Sequence, residues 1–122
     1  MSHDILLRIE TVWKASNLLT DSQVALLCSK FENYKYGSLV FPSMVKRHLG
    51  VSLKRAYEIL NVLVDAKILK LCFQLQCKHE GCCEVYRHVF NEINEVPKGL
   101  TCEHCGYTFN ILKDTKVIFM VK

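Results

Sequence analysis

A chain of 122 residues, half of them hydrophobic and 23% charged, has material for one domain or two very small ones and is too apolar to stay disordered. Its formal net charge of +4 permits contact with nucleic acid without demanding it. No run approaches the roughly 18 apolar residues that would cross a bilayer, and "MSHDILLRIETVW" lacks the basic start and apolar block of a signal peptide, so the expectation is a protein with no membrane partner that works inside the cell, cytoplasmic, or nuclear in a eukaryote.

In chain order, residues 3–16 place Ile5, Ile9, Val12 and Trp13 on one side at helical spacing, with Leu6 beside them. Thr20 and Gln23 form a capping-box pattern ahead of a second helix, along which Val24, Leu27, Cys28 and Phe31 repeat at three and four. Cys28 on that stripe reads as a small buried hydrophobe. "NYKYGS", residues 33–38, interrupts. Pro42 suits the first turn of a short helix and Gly50 its end. Ser52 caps the next helix, running to about Ala66, with Leu53, Ala56, Leu60, Leu63 and Val64 on its apolar face and Ile59 at the edge. "ILKLCFQLQC" then alternates, which predicts a strand burying Leu69, Leu71, Phe73 and Leu75 on one face.

The remainder reads as β. "EVYRHVF", 84–90, is rich in strand formers, 91–99 is a polar loop, and "YTFNIL" and "KVIFMVK" flank "KDT", 113–115, as a hairpin with a tight turn. The composition breaks near Gln76. Residues 1–75 hold ten Lys or Arg against six Asp or Glu, while residues 76–122 hold six of each and five of the seven cysteines. An odd number of cysteines, so placed, speaks against a disulfide framework and for metal.

A short helix, a Gly turn, a Ser-capped helix and a strand follow one another in the order of a helix-turn-helix with a wing strand. "HLGVSLKRAYEILNVLVDAKILKL", residues 48–71, resembles the core of winged-helix domains. Lys67 stands where many such domains place the Gly that ends the helix. The candidate nucleic-acid contacts are Lys46, Arg47, Lys54, Arg55 and Asn61, with His48 nearby and Glu58 and Asp65 opposing.

"CEHCGYTF" is a C-x2-C followed by Gly, as in a zinc knuckle, whose turn aims backbone N–H groups at the sulfurs. "QCKHEGCC" supplies a second half. Cys77 and Cys82 are spaced C-x4-C, and 19 residues separate Cys82 from Cys102. The expected ligands of a structural Zn²⁺ are therefore Cys77, Cys82, Cys102 and Cys105, with Cys83 and His79 as alternates. Four thiolates and one zinc ion would lower the net charge from +4 to +2. Glu80 and Glu103 neighbour these ligands, but the deaminase pattern is unmatched, and no nucleophile–base pair, phosphate loop or small-molecule substrate site stands out, so no enzyme is expected.

These readings give an α+β chain: a winged-helix (helix-turn-helix) domain over 1–76 and a small β zinc ribbon over 77–122. That arrangement is similar in architecture to transcription factor E-like proteins, although C-x2-C is commoner there than the C-x4-C found here. The resemblance implies a non-enzymatic factor that docks on a transcription complex and nearby double-stranded DNA. The alternative is an adaptor in a multi-protein regulatory or defence complex, with a protein partner or a homo-oligomer. The apolar "VIFMVK", read as an edge strand, favours it.

Overall fold

The first four helices begin where side chains or proline relieve the unpaired N–H groups of the first turn. In the computed structural model, which describes every residue except Cys83, Ser2 caps α1 (His3–Ser16) by accepting from the Ile5 N–H. Thr20 and Gln23 form the full capping box of α2 (Asp21–Phe31). Pro42 opens α3 (Pro42–Leu49), and Ser52 accepts from the Arg55 N–H to start α4 (Leu53–Asp65). Gly50 ends α3 at φ 66°, the left-handed conformation that glycine adopts without strain. The strands are β1 (Leu39–Val40), β2 (Leu69–Gln76), β3 (Val85–Phe90) and β4 (Thr115–Val121), with a 3-10 turn at Ile93–Glu95 and a one-turn helix α5 (Ile111–Asp114). They form one antiparallel sheet in the order β1-β4-β2-β3.

Two compact units result: Met1–Lys70 with Phe119–Lys122, and Leu71–Ile118. In the first, α1 packs on α2 and α4, and α3 packs on α2 and α4. Its core is Ile9, Trp13, Leu27, Phe31, Val45, Ile59, Leu60, Leu63 and Phe119, all fully buried. The Trp13 indole N–H donates to the Ile59 carbonyl at 3.0 Å, which satisfies the one polar atom that this ring would otherwise bury at a cost. Phe31 stands edge-on to Trp13, ring centres 5.3 Å apart. β1 joins this unit by pairing Leu39 with Met120 and Val40 with Phe119. In the second unit β2 pairs with β3, its register shifting between Gln74 and Gln76, and the core is Leu75, Cys77, Val96, Cys102 and Phe109.

Several local expectations change. "KDT" is no hairpin turn. The Asn110 side chain accepts from the N–H groups of Leu112 and Lys113 at 3.0 and 3.2 Å, and the Asp114 carboxylate accepts from the Asn110 N–H at 2.7 Å. This reciprocal capping winds 111–114 into α5, and among the described residues "YTFNIL" contributes to pairing the single bridge of Thr108 to Thr101. "VIFMVK" is no edge strand: β4 lies between β1 and β2, with Ile118, Phe119 and Val121 buried. On α4, Ile59 is fully buried and Leu53 is exposed, because the helix turns its face toward α1 and α3. On β2, Cys72 and Gln74 are buried while Leu71 is exposed, although Leu69 and Leu75 are buried as expected, so the strand buries residues of both its faces and not of one.

Candidate metal centre

Two short turns bring four sulfurs together. Cys77 follows directly on β2, and its N–H donates to the Glu84 carbonyl at 2.8 Å. The turn closes with the Cys82 N–H on the His79 carbonyl at 3.1 Å and Gly81 at φ 83°. The second turn is a small hairpin. The Cys102 N–H donates to the Tyr107 carbonyl at 2.8 Å, the Gly106 N–H returns to the Cys102 carbonyl at 2.9 Å, and the Phe109 N–H reaches the Leu100 carbonyl at 2.9 Å. Gly106, at φ 76°, supplies the left-handed residue just after Cys105.

The four thiols of Cys77, Cys82, Cys102 and Cys105 lie within 4.8 Å of one another. The Cys77 and Cys105 sulfurs are 3.5 Å apart and those of Cys82 and Cys102 are 3.7 Å apart. A tetrahedral ion with metal–sulfur bonds near 2.3 Å spaces its sulfurs by about 3.8 Å, so the cluster already has the dimensions of such a shell. Cys77 and Cys102 are buried, Cys82 is half-buried and Cys105 is exposed. His79 stays outside the cluster, exposed, with its ring 5.9 Å from that of Tyr107. The other alternate, Cys83, lies outside the described residues.

The thiols are electrostatically unequal. The N–H groups of Cys105 and His104 point at the Cys102 sulfur and lower its pKa to about 7. Burial pushes Cys77 up to about 12, against a lowering by the His79 N–H. At Cys82 the Glu84 N–H lowers the pKa, but burial and the adjoining thiols outweigh it and the net shift is upward. Four sulfurs held this close cannot all ionise without a cation among them.

One supporting pair has no signal in the linear pattern. The Asp114 carboxylate is buried against the Asn110 N–H, and the Tyr107 phenol is raised by burial and by the charge and hydrogen bond of Asp114. Tyr107 packs on His79 and Phe109 beside the sulfurs. Only the fold brings residue 114 to residue 107. His104 is exposed, 3.9 Å from Glu84, and Glu103 pairs with Arg87 at 3.2 Å. The cavity they share beside Cys102 is about 50 Å³, too small for an organic substrate.

The candidate nucleic-acid residues occupy the other unit. Lys46 and Arg47 lie exposed in the last turn of α3, beside His48. Lys54 and Arg55 lie exposed in the first turn of α4, with Asn61 exposed two turns on. Arg55 also reaches Glu58 at 3.5 Å. No helix among the described residues is long and apolar enough to cross a membrane. Comparison with protein-family models, curated proteins and solved structures finds no match to the chain.

Proposed function

We propose that the chain is a non-enzymatic zinc-binding protein whose α3–α4 pair, taken as the helix-turn-helix of a winged-helix domain, associates with duplex DNA as a transcription regulator. The observation that carries the reading is the four-thiol cluster. An all-sulfur shell of tetrahedral dimensions suits Zn²⁺, and four protein ligands leave the ion no open position for water or substrate. The ion is then a staple for a small β unit, with Cys77, Cys82, Cys102 and Cys105 holding it. The DNA half is supported by the exposed cations Lys46, Arg47, Lys54 and Arg55 around one helix–turn–helix corner. Both partners of the Arg55–Glu58 pair are nearly half exposed, so it is worth under about 1 kcal/mol and yields readily to a phosphate.

A single purified sample tests both halves, by metal content and by gel shift on random duplex. One equivalent of zinc is expected, with DNA binding that weakens steeply with salt and is lost when Lys54 and Arg55 are both replaced by Glu. Absence of zinc, or binding indifferent to salt and to those charges, overturns the corresponding half. A second reading, a protein-interaction adaptor, is favoured by β3, which ends the sheet order and exposes Val85 and Arg87. It predicts stable self-association or a co-purifying partner, with no duplex affinity.

A further inference from the structure

The first unit is discontinuous in sequence. Its four helices, β1 and the start of β2 lie within Met1–Lys70, and the chain then runs through the whole of the second unit before Phe119 rejoins the first. The rejoining segment belongs to the centre of the first core. Phe119 is fully buried and Val121 nearly so, and both are members of the cluster that contains Trp13, Phe31 and Leu60. The backbone ties the segment to the residues entering β1: the Val121 N–H donates to the Ser38 carbonyl and the Gly37 N–H to the Val121 carbonyl, each at 2.9 Å. The Phe119 ring centre lies 6.0 Å from that of Tyr57, which α4 carries between Lys54 and Asn61. α4 therefore leans on a residue that the chain reaches only after the four thiols.

Completion of the first core then depends on whether the intervening chain is ordered. β4 lies beside β2 in the sheet, so an ordered second unit returns the chain one strand away from where it left, about 4.8 Å. Unstructured, the same stretch is a loop of roughly 50 residues, and the probability that the ends of such a loop meet falls as about the three-halves power of its length, here on the order of a hundredfold. The helices escape this dependence, because α1 to α4 all precede Lys70. We infer that metal binding at Cys77, Cys82, Cys102 and Cys105 regulates the first unit, none of whose residues is in the thiol cluster, by docking Phe119–Val121 against β1 and against Tyr57 of α4. Loss of the metal releases that segment and the support of Tyr57 with it. This rests on the zinc reading above and adds to it a response of α4 to the metal.

The test is hydrogen exchange on the full chain, with and without zinc, together with the metal content of the same samples. The amides of Gly37 and Val121 are expected to exchange at least about tenfold faster in the metal-free chain, with the Tyr57 ring resonances shifted and the helical dichroism retained. The double variant Cys102→Ser, Cys105→Ser should show the metal-free rates whether or not zinc is added. Zinc uptake with less than about a tenfold change at Gly37 and Val121 overturns this inference and leaves the zinc reading standing. Absence of zinc uptake overturns both. Protection of Gly37 and Val121 that still responds to zinc in the double variant overturns the thiol cluster as its source. Loss of the helical dichroism along with the metal overturns the route through β4, because the helices themselves would then depend on the ion.

Discussion

At Cys102 the N–H groups of Cys105 and His104 converge on one sulfur and bring its pKa to about 7, while burial drives Cys77 to about 12 in the same cluster. A group whose folded pKa is depressed favours the ionised state above that value and loses the advantage as pH falls through it. Zinc binding must displace the protons still on the sulfurs. In the folded turn Cys102 is therefore ready to take the ion from about pH 7 upward, with Cys77 the harder to ionise. Lys67 poses a different residue-scale question. A non-glycine residue at φ 62° costs about 1 kcal/mol, so Lys67→Gly should raise stability by about 0.5–1 kcal/mol in urea denaturation. A loss of stability would mean that the Lys67 side chain repays its backbone cost within the fold.

Among the elements, α5 owes its existence to one side chain. Asn110 accepts from two N–H groups and offers its own N–H to Asp114, and four residues are too few to form a helix without such capping. Asn110→Ala should cost about 1 kcal/mol and lower the amide protection of Leu112 and Lys113, read by hydrogen exchange. Unchanged protection there would show that α5 is held by packing instead. α4 rests on burial: Leu60→Ala in the core of the first unit should cost about 2–5 kcal/mol in urea denaturation, against less than 0.5 kcal/mol for exposed Asn61→Ala. The helices were legible because their signals are local. Thr20 with Gln23, Pro42 with Gly50, and Ser52 each act within one turn, and the stripe Val24, Leu27, Phe31 states its own period. The clustering of the four thiols was legible for the same reason, since each cysteine pair with its glycine is a turn written in consecutive residues. What escaped depends on partners distant in sequence. β1 is two residues long and exists only because Val40 finds Phe119. Gln74 is buried and Leu71 exposed, which depends on what packs over β2 and not on its own alternation. Asp114 meets Tyr107 only after α5 has formed.

At the scale of the whole molecule, the two units differ in what holds them and in what they carry. Met1–Lys70 with Phe119–Lys122 contains eleven Lys or Arg against six Asp or Glu, whereas Leu71–Ile118 contains five against six. Any salt-dependent affinity for DNA therefore belongs to the first unit, and four thiolates with one zinc ion make the second more negative still. Their cores differ as sharply. The first unit buries Trp13, Phe31, Phe119 and a set of leucines, isoleucines and valines, enough apolar surface to support helices without a metal. The core cluster of the second holds Leu75, Val96 and Phe109, and its other two members, Cys77 and Cys102, are themselves in the thiol cluster. A structural zinc site contributes about 10–16 kcal/mol at neutral pH, more than so few apolar side chains supply. Chelation should accordingly loosen Leu71–Ile118 and spare the helices: far-ultraviolet helical dichroism stays, the amides of Trp13, Leu27 and Leu60 keep their protection, and those of Tyr86, Cys102 and Phe109 exchange freely. Re-addition of zinc should restore that protection, and Cys102→Ser should reproduce the chelated state in the presence of zinc. Protection of Phe109 that survives chelation would show that the second unit folds on its apolar contacts alone, and the ion would no longer be its staple.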